Sequence, residues 1–300
     1  MERNITNLKI GQEQHILVLV QAVEKGIANN GSLYEKLKVR DTEGNEATLY
    51  NWDQPFTASL PVVINAKVET KLVKETNNYR IMTYQTDDSV PKMEFLPKPA
   101  IDVKEYWSQL NAFAKKLPEH LHKLVGLVLM ENQKRFISLP LTTSRFFARQ
   151  CGIVEATVKL TKMADVAATV LGLDWNLTVT AAILYYVGYT DCVSDAFVAT
   201  PEEVLIGAGV SAYTKVFTKA EQLKQELTEE SYTVFCSDIT CINHILLSRY
   251  KGISTAIPEA MLLRHLDAIV TDSDLMLAGT AFAQPGSTTS ILGLGKLYRK

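Results

Sequence analysis

Hydrophobic and polar positions change their rhythm once along this chain, near residue 90. Before that point apolar residues alternate with polar ones in short runs. Residues 15–20 (His-Ile-Leu-Val-Leu-Val), 33–39, 47–52, 62–68 and 79–84 are β-rich and bounded by turn formers, the pattern of strands. Asn30-Gly31 and the 41–44 run Asp-Thr-Glu-Gly suit tight connections, because Asn and Gly tolerate positive φ. Five strands within about 85 residues predict a small closed barrel.

Residues 86–102 break both patterns. Pro91, Pro97 and Pro99 keep the chain extended there, which reads as a linker. Beyond it, helical spacing predicts helices over 103–117, 119–132, 142–171, 177–187, 201–227, 239–250, 258–270 and 274–282. Pro201 and Pro258 suit first-turn positions, with Thr200 a good cap and Ile257 a poor one. The Gly-, Ser- and Thr-rich stretch 283–300 reads as a flexible tail. The expected fold class is thus α+β multidomain: a barrel at 1–88, a linker at 89–102, a helical domain at 103–282 and a tail at 283–300.

Composition adds little to this picture. The 300 residues are 47% apolar and 21% charged, with net charge −2, ordinary values for a folded protein. The charge divides as ten basic against twelve acidic residues in 1–88 and none net in 89–300. Indiscriminate phosphate binding by either half is therefore disfavoured. No apolar run is long enough to span a bilayer and the polar start resembles no leader, so no membrane association and a cytoplasmic location are expected. Cys151, Cys192, Cys236 and Cys241 form no Cys-x-x-Cys pair and read as free thiols.

Three stretches carry a family resemblance: 26–34 (Gly-Ile-Ala-Asn-Asn-Gly-Ser-Leu-Tyr), 37–44 (Leu-Lys-Val-Arg-Asp-Thr-Glu-Gly) and 46–53 (Glu-Ala-Thr-Leu-Tyr-Asn-Trp-Asp). In that order they resemble the first half of the OB-fold barrel of YhaM-type 3′→5′ exoribonucleases. Those proteins join the barrel to an HD-type metal-dependent phosphohydrolase domain, and the frame of residues 100–282 is similar to it. The resemblance implies a five-stranded OB-fold barrel followed by an all-helical HD-like domain.

The family's metal ligands do not follow the frame. Its His-His pair falls at Phe146-Phe147 and its later His at Ala156. Its His-Asp signature falls at Tyr185-Tyr186, with Tyr189 in place of the next Lys. Its Gly-His becomes Gly207-Ala208, and its Ser-His-His-Gly becomes Ser248-Arg249-Tyr250-Lys251-Gly252. Asp267 and His244 stand at positions that look functional in the family. Such a site needs imidazole and carboxylate donors converging on divalent ions. Phe and Ala supply none, and a phenol with a pKa of about 10 is a poor ligand at neutral pH. The comparison implies a degenerate HD domain, not an enzyme, with no catalytic residue, metal or cofactor. The aromatic replacements either fill the dead cleft or make a new apolar surface.

Other constellations are weaker. His120 and His122, two apart on a helix, diverge and read as surface residues. His244, His265, Asp267, Asp272 and Asp274 form a loose group, either a remnant metal site or hydrogen-bonding residues. Gly293-Leu294-Gly295-Lys296 lacks P-loop spacing. On the barrel, Tyr34, Tyr50, Trp52 and Tyr79 interleave with Lys36, Lys38, Arg40 and Arg80. Aromatics beside cations are how such barrels hold single strands, and Tyr34, Lys36, Lys38 and Arg40 share one strand face. The bland alternative is a solvated face with structural aromatics. These residues point to a non-catalytic protein that binds single-stranded RNA or DNA. The alternatives are a divergent metal-dependent exonuclease and a protein-interaction module. A protein partner or homo-oligomer would dock through the helical domain.

Overall fold

Strand β1, Glu13–Ile27, opens the barrel. It is followed by β2 (Leu33–Arg40), β3 (Glu46–Asn51), β4 (Val62–Val73) and β5 (Thr76–Thr86). The structure, a computed structural model, describes residues 2–28, 30–52, 55–73, 75–99, 102–195, 197–250, 252–281, 283–291 and 294–300. Asn29, Asp53, Lys251 and Gly293, named in the motifs above, lie outside the described residues, as does Phe282 at the expected domain end. The strands close in the order β1-β2-β3-β5-β4, antiparallel except for β3 with β5. Ile16, Val18, Val20, Leu37, Val39, Leu49, Ile64 and Ile81 fill the interior, as strict alternation requires.

The unbroken run Leu17-Val18-Leu19 has a second cause. Leu17 and Leu19 face outward, yet they are buried with Val63 beneath Phe95. Phe95 ends a short 3-10 turn, Lys92–Phe95. The expected linker therefore contributes to the barrel's packing, and the chain divides after Lys98 rather than at 88. The two compact units are Met1–Lys98 with Asp195–Val198, and Pro99–Ser194 with Ala199–Lys300. Pro91 is extended ahead of the turn, but Phe95 and Leu96 gain more from an apolar surface than from water.

In the helical unit, α1 (Val103–Ala114) starts on an Asp102 cap and α2 (Glu119–Ser138) follows Pro118. The expected 142–171 helix begins only at Gly152, as α3 (Gly152–Leu171), because Phe147 and Cys151 hold positive φ ahead of it. α4 (Trp175–Leu184) is buried from Leu177 onward. α5 (Tyr189–Cys192) and α6 (Pro201–Leu205) are short. The expected 201–227 helix is split by Gly207, at φ 82°, into α6 and α7 (Ala208–Lys224). α8 (Glu229–Leu247) is longer than its periodicity suggested, and α9 (Pro258–Thr280) fuses the last two expected helices. Thr200 caps α6 through the Glu203 N–H, whereas Ile257 makes no side-chain cap on α9. The expected flexible tail instead carries a hairpin, β6 (Thr288–Ile291) with β7 (Gly295–Tyr298). Its β-branched run and the burial of Leu297 outweigh the glycine content.

Candidate functional site

Register places two parallel rows at one end of the barrel. On the outer face Tyr34 lies opposite Gly26, and Lys36 lies between Glu24 and Tyr50. Gly26 matters because a β-carbon there would come within 2.5 Å of the Tyr34 ring. Without it, Tyr34 lies across β1 and stacks on Trp52, with ring centroids 4.6 Å apart at 23°. Tyr50 adds a tilted ring at 6.0 Å, and the Lys36 ammonium stands 5.8 Å from the Tyr34 centroid. Trp52 remains 39% exposed. On the inner row Lys25, Glu35 and Asn51 are successive cross-strand neighbours. A cleft of about 200 Å³ at this end of the barrel is lined by residues of both rows: Lys25, Leu33, Tyr34, Glu35, Asn51, Trp52 and Pro55.

The barrel residues expected from the sequence divide three ways. Tyr34, Lys36, Tyr50 and Trp52 come together. Lys38 and Arg40 share the face but are ion-paired, to Glu24 at 2.7 Å and to Glu46. Arg80 lies opposite Tyr50 and is half-buried. Tyr79 does not belong to the site: its ring is part of the barrel core. The register of β5 against β4, which carries an irregularity at Lys67/Val68, turns Tyr79 inward. Sequence reasoning missed Lys25, Glu35 and Asn51, whose proximity is set by strand register alone.

In the helical unit one buried cluster forms around Arg249. Its guanidinium lies 4.5 Å from the Tyr185 ring, 5.7 Å from Tyr186 and 5.4 Å from Tyr189. Nη1 donates to the Tyr185 carbonyl at 3.0 Å, and Nη2 stands 3.8 Å from the Asp267 carboxylate. The Tyr186 hydroxyl donates to Asp267 Oδ1 at 2.6 Å. Burial raises the phenol pKa of Tyr186, and the adjacent Asp267 charge raises it further. Burial does the same for Tyr185 and Tyr189, so all three stay protonated. Tyr250 is the neighbouring piece. Its hydroxyl accepts from the N–H groups of Gly209 and Val210 at the start of α7, beside Ala208.

Phe146, Phe147 and Ala156 are held by other partners. Phe147 packs under Arg149 and Lys159, with its N–H on Asp274. Arg149 bridges Glu155 and Asp274, at 2.7 Å and 2.6 Å. Asp274 lies seven residues beyond Asp267 on α9, about 10.5 Å further along one stripe. Phe146 is half-buried beside Arg145, and Ala156 is buried in α3. His244 accepts the Ala256 N–H at 2.9 Å, a local structural bond. The loose His/Asp group is therefore dispersed: His265 and Asp272 are exposed, and Asp274 belongs to Arg149. His120 is not a bare surface residue, since it pairs with Asp238 on α8 at 3.0 Å. His122 is exposed as expected.

The donor set around Asp267 does not fit a divalent ion. The carboxylate already takes a phenol hydrogen bond and faces a guanidinium, a fixed cation with no lone pair to give. Among the described residues no group of three or more His, Cys, Asp or Glu side chains is placed to hold a metal.

Fold and site together define a protein with an N-terminal closed five-stranded barrel of the OB type, followed by a predominantly helical unit. No family model matches the chain. It is distantly similar to the 3′-5′ exoribonuclease YhaM of Bacillus subtilis, at 21% identity over 311 residues, covering 96% of this chain and 94% of that protein. The YhaM of Bacillus licheniformis matches at 21% over 309 residues with the same coverage. Among solved structures, the second OB-fold domain of replication protein A from Methanococcus maripaludis matches at 12% identity and a TM-score of 0.25, covering 30% of this chain and 98% of that one. Among the described residues no helix is long and apolar enough to cross a membrane.

Proposed function

We propose that this protein binds single-stranded nucleic acid on the β2–β3 face of its barrel, and that the helical unit is a non-catalytic scaffold. The carrying observation is the stack of half-buried Tyr34 on exposed Trp52 with Lys36 beside it, in the lining of a cleft. Bases stack on aromatic rings at about 1–3 kcal/mol each, independent of sequence. Arg249 supports the second half of the reading, because its charge stands beside the one carboxylate of the cluster.

The test is fluorescence anisotropy with labelled single-stranded RNA and DNA of about ten nucleotides, within the site size of one barrel. Trp52→Ala and Tyr34→Ala should each weaken binding by about 5- to 150-fold, the loss of one stacked base. Absence of binding up to about 100 μM, the weak end of non-specific association, would overturn the proposal. The similarity to exoribonucleases over 96% of the chain favours hydrolysis as a second reading. It requires Mn²⁺- or Mg²⁺-dependent shortening of the same RNA that Asp267→Ala abolishes, and such turnover would replace the scaffold assignment.

A further inference from the structure

The barrel cleft contains groups that stacking alone does not use. Glu35 is 9% exposed, deep at the inner row. Among the described residues the two donors that reach it, Asn51 Nδ2 at 3.1 Å and the Phe56 N–H at 2.7 Å, fall on one oxygen, Oε2. Among the described residues no donor reaches Oε1, so an acceptor remains open on a side chain that lines the cleft. Lys25 lies directly opposite Glu35 across the β1–β2 ladder, which puts their β-carbons about 5 Å apart. The two are not ion-paired to each other in the structure, and Lys25 is exposed at the rim.

An acceptor beside a donor, next to a stacked aromatic pair, is a complementary edge for a heteroaromatic ring. The cleft, at about 200 Å³, is below the about 300 Å³ at which sites for drug-sized ligands begin. It suits a single base rather than a larger cofactor. Guanine alone among the four bases presents two adjacent N–H donors, N1–H and the 2-amino group, followed by an acceptor, O6. Cytosine and adenine place an acceptor nitrogen beside their amino group. The N3–H of uracil is flanked by two carbonyl oxygens that a carboxylate would repel.

Resting on the single-strand reading above, we propose that this cleft selects guanine. The base stacks on the Trp52–Tyr34 pair, its N1–H and 2-amino group donate together to the open Glu35 Oε1, and Lys25 donates to O6. Asn51 is a positioning residue, holding the Glu35 carboxylate through Oε2. Lys25 supplies the kind of lysine contact to guanine that nucleic-acid readers use elsewhere.

The test measures oligouridine RNA of about ten nucleotides, the span of one barrel, against the same strand with one central guanosine, adenosine or inosine. The readouts are anisotropy and quenching of Trp52. The 300-residue chain should prefer the guanosine strand by about tenfold, the discrimination of one good base contact. Inosine, which lacks the 2-amino group, should fall between guanosine and uridine. The guanosine-to-uridine ratio should drop towards one in Glu35→Gln. It should also shrink in Lys25→Met, whose exposed position leaves folding intact. Equal affinities for guanosine and adenosine strands would overturn the guanine assignment and leave the single-strand reading standing. A preference that survives in both variants would place it outside this cleft and overturn the assignment equally. If no strand binds, the single-strand reading fails and this one with it.

Discussion

Arg249 is the residue on which the helical unit's chemistry turns. A guanidinium sandwiched by three protonated tyrosines and facing Asp267 is a cation held by cation–π contact and one carboxylate. Arg149 has the equivalent role further along α9, between Glu155 and Asp274. Removing one member of a buried pair leaves the other charge unpaired. Arg249→Met should therefore cost about 3 kcal/mol, the low end for a buried pair because Asp267 keeps some solvent contact. Arg249→Lys should recover little of that, since an ammonium lacks the planar face that three rings stack on. The check is the urea midpoint of the helical signal in circular dichroism, and an unchanged midpoint in Arg249→Met would remove the role assigned to this residue.

At the scale of elements, close backbone approach decides where the helices sit. Gly188 precedes the short α5, and a β-carbon there would stand 1.9 Å from the Ala208 carbonyl oxygen and 2.5 Å from the Ala212 nitrogen. Neither backbone atom can move without shifting α7. Gly126 lies inside α2 with nothing within 4 Å of its absent β-carbon. Gly188→Ala should thus destabilise by about 1–3 kcal/mol or more, as overpacking does, while Gly126→Ala should stabilise by about 0.5–1 kcal/mol through helix propensity. Thermal melts of the two variants in parallel check both signs. In the barrel the same logic acts on β2. Alternation aims Tyr34 and Lys36 outward, but the open position at Gly26 is what lets the Tyr34 ring lie down onto Trp52.

For the whole molecule, net charge −2 limits the electrostatic share of binding. Lys38 and Arg40 are already committed to Glu24 and Glu46; on oligouridine, which offers no guanine O6, Lys25 in the cleft lining and Lys36 over the Tyr34 ring are both open to phosphate. Two phosphate contacts on a single strand give a slope of log Kobs against log[salt] of about −1.4. Titrations of oligouridine at several salt concentrations should return that shallow slope, and a value steeper than about −3 would show a broader phosphate-binding surface.

Much of this was legible in the sequence, and the boundary of legibility has a physical origin. Period-two and period-3.6 patterns are local, so the five strands, the switch to helices near residue 90 and the outward aim of Tyr34 and Lys36 could be read from neighbouring residues. That Tyr185, Tyr186 and Ala208 carry no imidazole or carboxylate was equally visible, because a residue's chemistry needs no fold to be known. What only the tertiary structure decided was set by non-local register and packing. Tyr79 turned inward by its pairing with β4, Lys38 and Arg40 met carboxylates on β1 and β3, and Phe95 found Leu17 and Leu19. Phe147 fell beside Asp274 rather than Asp267. The placement of Lys25 opposite Glu35 depends on the register of the β1–β2 hairpin, and that of Arg249 among three tyrosines joins residues far apart in the chain. Such pairings follow from the free energy of burying many side chains at once, which no single stretch of sequence carries.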